Sequence, residues 1–141
     1  MSHKWDFSSI YQYRHVLLDG LLGTLQLAVL AVICAMLVGL LVSFARISRP
    51  MAIRVPATIF INFFRNIPFI VQLFWFYYAI PVLTGLQANP FTASLYALTL
   101  YGGAYFAEIY RAGIQSVDTG QWEGARAIGL SQSGAMRYVV L

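Results

Sequence analysis

Charged residues are scarce in this sequence. Only 10% of the 141 residues are Asp, Glu, Lys or Arg, while 60% are hydrophobic. Soluble globular domains carry about 25% charged residues, so this composition excludes a chain whose whole surface faces water. No charge occurs from Leu21 to Ala45 or from Asn66 to Ala107. A membrane span needs roughly 20 apolar residues, so the first run predicts one transmembrane helix and the second predicts two.

Several kinds of chemistry are missing as well. The single cysteine, Cys34, lies in an apolar run, so we expect neither a disulfide framework nor a metal site. The chain has no glycine-rich phosphate loop and no catalytic constellation, so we predict that it is not an enzyme. Its net charge is +4. No basic stretch is interleaved with stacking aromatics, so membrane lipid is a more fitting partner than nucleic acid.

Turn-forming residues divide the second apolar run near Pro81, Gly85 and Pro90. Backbone groups in lipid must be hydrogen-bonded internally, so the predicted fold is an all-α integral membrane protein. We predict spans over 21–44, 57–80 and 91–112, an amphipathic periplasmic segment over 1–20, and a cytoplasmic loop over 113–138.

The loop after the first predicted span is positively charged. It contains Arg46, Arg49 and Arg54 and no acidic residue, whereas the segment before the span offers only Lys4 and Arg14. Lys and Arg accumulate in short cytoplasmic loops. We therefore predict that the amino terminus lies outside the cell and that the segment after the third span is cytoplasmic.

Small residues recur at helical spacing along the first predicted span. Such a stripe favours close packing of another helix, although the high Ala and Gly content of membrane helices is an alternative explanation. The stripe comprises Gly20, Thr24, Ala28, Ala31, Ala35, Gly39 and Ser43.

Two charges, Arg65 and Glu108, bracket the long neutral run. At about 1.5 Å per helical residue, a hairpin would place both near the cytoplasmic boundary of the hydrocarbon. Ionisable groups at that depth are usually partnered, so we hypothesise that the two face each other or share a polar site. Two interpretations compete: Glu108 pairs with Arg111 on its own helix, or Arg65 reaches lipid phosphate.

Polar groups within or beside the apolar spans are candidates for contact with a transported solute. Each has a structural alternative, because such groups also bond neighbouring helices or fill space. Pro68 either kinks the second span or lies in a first helical turn. The candidates are Arg65, Asn66, Gln72, Tyr101 and Glu108.

A motif follows the third predicted span. Glu123, Gly124 and Ala125 precede three variable positions and Gly129. This pattern resembles the EAA loop of ABC importer permeases, with Gly124 in place of the commoner Ala. The runs 64–73 and 102–116 are similar to the second-span and third-span signatures of polar amino acid permeases, so the resemblance covers nearly the whole chain.

The resemblance implies the type I ABC importer permease fold, with three transmembrane helices and then a cytoplasmic coupling helix carrying Glu123, Gly124, Ala125 and Gly129. The family's last two helices are absent here, so we expect a truncated fragment. In the family this helix docks on an ATP-hydrolysing subunit. ATP would be bound by that partner, and this chain would hold no cofactor itself.

The same resemblance implies further partners and a function. An amino-acid-binding protein, periplasmic or lipid-anchored, would deliver the solute, and a second permease subunit would complete a homodimer or heterodimer in the bacterial inner membrane. Polar amino acids are the expected cargo, with glutamate, aspartate and glutamine favoured. The rival interpretation is a small membrane anchor or signalling subunit whose segment 113–141 contacts a cytoplasmic partner without transport.

Overall fold

The computed structural model describes residues 11–85 and 89–140, and nearly all of them are helical. No strand occurs in these two ranges, which confirms the predicted all-α fold. Of the predicted segment 1–20, residues 1–10 lie outside the described residues. The helices are α1 (Arg14–Ile47), α2 (Met51–Asn66), α3 (Phe69–Phe74), π1 (Trp75–Ala79), α4 (Ile80–Thr84), α5 (Pro90–Gln115), α6 (Thr119–Ala127), α7 (Gln132–Ala135) and π2 (Met136–Val140).

The first predicted span lies within α1, which is 34 residues long and strongly apolar. Because α1 begins at Arg14, the last residues of the predicted amphipathic segment 1–20 belong to α1. The third predicted span lies within α5, which is 26 residues long. At about 1.5 Å per residue, both helices exceed the roughly 30 Å of a bilayer's hydrocarbon core.

A parallel pair of helices, α1 and α5, forms the centre of the fold. Its crossing point is so tight that a Cβ added at Gly39 would lie 2.5 Å from Cβ of Phe106. Of the predicted small-residue stripe, the part that lines this contact is buried. The buried members are Ala31, Ala35, Gly39 and Ser43, whereas Gly20, Thr24 and Ala28 are exposed. The inner half of the stripe is therefore the helix interface that the sequence predicts.

The second predicted span, over 57–80, is not one straight helix. Instead α2 and the arm Phe69–Thr84 meet at an angle of 104°. Pro68 lacks a backbone N–H and disfavours the helical conformation of the residue before it. Ile67 is accordingly extended, with φ −94° and ψ 129°, and the helix ends there. The sequence leaves open whether Pro68 kinks the second span or lies in a first helical turn; in the structure the chain bends sharply here, and Pro68 is the N-cap of α3.

Candidate functional site

A short helix with a cap at each end follows α5. At the start of α6, the Asp118 side chain accepts a hydrogen bond of 2.6 Å from the Gly120 N–H. At its end, Gly129 adopts a positive φ of 83°. The Leu130 N–H donates to the Ala125 carbonyl, and the Gly129 N–H donates to the Arg126 carbonyl, each at 3.0 Å. These two bonds form a Schellman motif, in which Gly129 makes the turn out of the helix.

The motif residues of α6 divide between its two sides. Ala125 is 4% exposed, so its small side chain anchors the helix. Glu123, Gly124 and Gly129 are exposed. Among the described residues, Glu123 takes part in no ion pair. The helix therefore presents an uncompensated carboxylate beside small residues that allow close approach, which is a surface suited to docking another protein.

A second group of polar residues surrounds Glu108. Its carboxylate lies 3.1 Å from Nε of Arg46 and 2.7 Å from a terminal nitrogen of Arg111. Arg111 also donates from its Nε to the Glu108 carboxylate at 2.9 Å, and its guanidinium donates to the side-chain oxygen of Gln115. The structure therefore favours the competing interpretation, in which Glu108 pairs with Arg111 on its own helix. The second partner, Arg46, belongs to the last turn of α1 rather than to a loop.

Arg65 does not form an ion pair with Glu108 in the described part of the chain. Its guanidinium carbon lies 5.2 Å above the ring of Tyr105, one turn before Glu108 on α5. The hydroxyl of Tyr101 is 3.3 Å from that of Tyr105, and its ring lies 5.3 Å from the ring of Phe69. We call Arg65, Phe69, Tyr101 and Tyr105 the tyrosine cluster. It joins the bend between α2 and α3 to the middle of α5.

Gln72 closes the break in the second span. Its side chain is 4% exposed, and its amide nitrogen donates to the carbonyls of Phe64 at 2.8 Å and Ile67 at 2.9 Å. These carbonyls lose their helical partners at the proline, so Gln72 replaces the missing donors. The geometry favours this structural role for Gln72 over contact with a solute. Asn66, in contrast, is exposed at the end of α2.

Sequence reasoning did not name Arg46, Phe69, Tyr105 or Gln115 as candidates for the site. The sequence carried a signal for two of them, Arg46 and Tyr105. Arg46 follows Ser43 by three residues, so it continues the small-residue stripe toward the partner helix. Tyr105 follows Tyr101 by four residues on the same helix face and therefore lies beside it.

Comparison with known proteins decides the family. Residues 35–141 match the family described as "Binding-protein-dependent transport system inner membrane component". The chain belongs to this family. The match includes the C-terminal part of α1 from residue 35, the bend at Pro68, all of α5 and the capped helix α6. The two residue groups described above therefore lie within a permease fold.

Individual relatives of this permease chain carry related names. "Probable amino-acid ABC transporter permease protein YckA" of Bacillus subtilis is 37% identical, with 99% of this chain and 63% of the relative covered. "L-cystine transport system permease protein TcyL" of the same organism is 38% identical, covering 100% and 62%. "Glutamine transport system permease protein GlnP" of Escherichia coli is 34% identical, covering 98% and 64%. The chain thus spans less than two thirds of the length of these relatives.

Solved structures agree with the fold. An amino acid ABC transporter crystallised with histidines superposes with a TM-score of 0.89 at 39% identity, covering 99% of this chain and 64% of that chain. An inward-facing structure of the MetNI methionine ABC transporter gives a TM-score of 0.74 at 24% identity, covering 92% and 63%. The first likeness supports the family and the type I importer fold, and the second supports the fold alone.

Proposed function

We propose that this chain is the leading part of the membrane permease subunit of an ATP-driven importer for polar amino acids. The observation that carries the proposal is α6, a capped helix that directly follows α5 and exposes Glu123. Family membership supports it, as do the names of relatives that carry amino acids, glutamine or L-cystine. In this proposal α6 is the coupling helix that an ATPase subunit holds.

The chemistry of the chain assigns ATP hydrolysis to the partner. The sequence has no phosphate-binding loop, so an ABC ATPase subunit would bind ATP and this chain would need no cofactor. A periplasmic or lipid-anchored binding protein would deliver the amino acid. A second permease subunit, identical or related, would complete the pathway. The amino terminus would lie outside and α6 inside, as the arginines after α1 favour.

The tyrosine cluster is the favoured contact for the solute. Arg65 has donors for a carboxylate, and Tyr101 and Tyr105 add hydroxyl groups on the neighbouring helix. Every free amino acid carries a carboxylate, so this cluster would recognise the class rather than one side chain. Glutamate, aspartate and glutamine remain the favoured cargo, and glutamine agrees with the name of one relative.

Co-purification of the full permease with its ATPase subunit tests the proposal. Replacing Glu123 by Arg reverses the exposed charge of α6 and should abolish co-purification, because the docking surface then repels its complement. Gln121→Ala is the matched control on the same helix, and we expect it to leave co-purification unchanged. If no ATPase subunit binds the unmodified permease, the importer function is wrong and the anchor interpretation takes its place.

A further inference from the structure

The ion pairs of Glu108 connect α1 with α5. They lie in the last two turns of α5, the helix that leads to α6, which is proposed to couple ATP hydrolysis to transport. We propose that Arg46, Glu108 and Arg111 form a clamp that makes α1, α5 and α6 move as one rigid body during transport. We call these three residues the arginine clamp. The inference rests on the proposed function of α6 and adds a role for residues outside both α6 and the tyrosine cluster.

The arginine clamp holds α1 and α5 together through a shielded carboxylate. The side chains of Glu108, Arg46 and Arg111 are 16%, 23% and 29% exposed. Each carboxylate oxygen faces a different arginine, one from α1 and one from α5. If α1 slid along α5, Glu108 would lose the Arg46 contact where little water could replace it, and such a loss is strongly unfavourable.

A short, bonded connection links the clamp to α6. Arg111 bonds Gln115, the last residue of α5. The next residue, Ser116, donates its N–H to the Ala112 carbonyl at 2.9 Å and its hydroxyl to the Gly113 carbonyl at 2.8 Å. Only two residues separate Gln115 from the Asp118 cap of α6. A displacement of α6 should therefore move the end of α5, and the clamp should carry α1 with it.

The arm Phe69–Thr84 is attached to α5 by weaker contacts than those of the arginine clamp. The helix break at Pro68 separates α2 from α3, and the contacts of Arg65 and Phe69 with the tyrosines of α5 are ring contacts rather than ion pairs. About two turns before Arg46 on α1, the close crossing at Gly39 adds to the connection between α1 and α5. Rigid-body movement should therefore occur between the arm and the clamped helices, as in hinged transporters.

The test uses the full permease with its ATPase subunit and binding protein in proteoliposomes. The measured quantity is the number of ATP molecules hydrolysed per amino acid imported. Glu108→Gln and Arg46→Gln should each raise this ratio by about 3- to 10-fold, because α6 would then move without carrying α1. Arg46→Lys keeps the charge and should stay near the wild-type ratio. Arg49→Gln removes an exposed arginine close by and is the control.

A merely structural role would give another result. If the variants assemble less complex but hydrolyse the same ATP per amino acid imported, the clamp proposal is wrong. If the wild-type complex hydrolyses ATP but imports no amino acid, the proposed function fails instead.

A covalent bridge keeps the proposal testable if the charge variants do not assemble. The variant Arg46→Cys/Glu108→Cys, in a Cys34→Ala background, should be uncoupled when reduced. A short bifunctional thiol reagent should restore the wild-type ratio by joining α1 to α5. A cross-linked protein that stays uncoupled would overturn the proposal.

Discussion

Replacing Gly39 by alanine should destabilise the permease through a single methyl group. The added Cβ would lie 2.5 Å from Cβ of Phe106, 3.0 Å from the backbone N of Ala107 and 3.0 Å from the carbonyl oxygen of Gly103. Two of these three atoms belong to the backbone of α5, so no side-chain rotation removes the overlap. The helices α1 and α5 must move apart to accept the methyl group.

The expected magnitude follows from two opposing terms. Overpacking of a tight contact costs about 1–3 kcal/mol. Alanine in a helix interior is favoured over glycine by about 0.5–1 kcal/mol, which offsets part of that cost. Because the overlap involves backbone atoms, we expect the packing term to dominate. The free energy of unfolding should fall by about 1–2 kcal/mol.

A matched control exists on the same helix. Gly20 is exposed, and no atom lies within 4 Å of a Cβ added there. Gly20→Ala should therefore gain about 0.5–1 kcal/mol from helix propensity alone. Reversible unfolding in mixed detergent micelles, followed by circular dichroism, measures both variants. Equal stability of Gly39→Ala and Gly20→Ala would refute the close crossing of α1 and α5.

Three further changes test the other elements. Gly129→Ala should lower the stability of α6 by about 1–2 kcal/mol, because alanine is strained at positive φ. Hydrogen exchange of the α6 amides should therefore become faster. Gly113→Ala, at a helical position with free space, should leave that exchange rate unchanged. Gln72→Leu leaves two carbonyls without donors and should lower the free energy of unfolding by about 1–3 kcal/mol in the same micelle assay, whereas unchanged stability would exclude its role at the break. The Glu123→Cys/Cys34→Ala variant should react with a membrane-impermeant maleimide only after the cells are permeabilised. Labelling in intact cells would show that α6 faces the outside, against the predicted orientation.

Much of the fold could be predicted because the bilayer restricts what apolar runs can do. The charge-free run from Leu21 to Ala45 predicts a helix, and α1 contains it with a few residues added at each end. The bend at Pro68 could not be predicted with the same certainty. A proline inside an apolar run either kinks one helix or begins another. The direction that the chain takes after the bend depends on contacts with other parts of the chain, such as those of Gln72 and Phe69.

The candidate site was predictable where its signal is local. Asp118 and Gly129 are typical residues for the start and the end of a helix, and both act in α6 as their types suggest. The partner of Glu108 on α1 is a non-local feature. Spacing along the chain indicates Arg111 on the same helix, whereas Arg46 reaches Glu108 only because the small-residue contact brings α1 and α5 together.

Arg46 thus combines two roles that sequence counting treats as one. It adds to the positive charge that orients the membrane protein, and it neutralises Glu108 across the helix interface. Removing it leaves Arg49 and Arg54 after the first predicted span, equal in number to Lys4 and Arg14 before it. Maleimide labelling at position 123 should therefore accompany Arg46→Gln. A change of coupling with unchanged labelling would report on the ion pair rather than on the orientation of the chain.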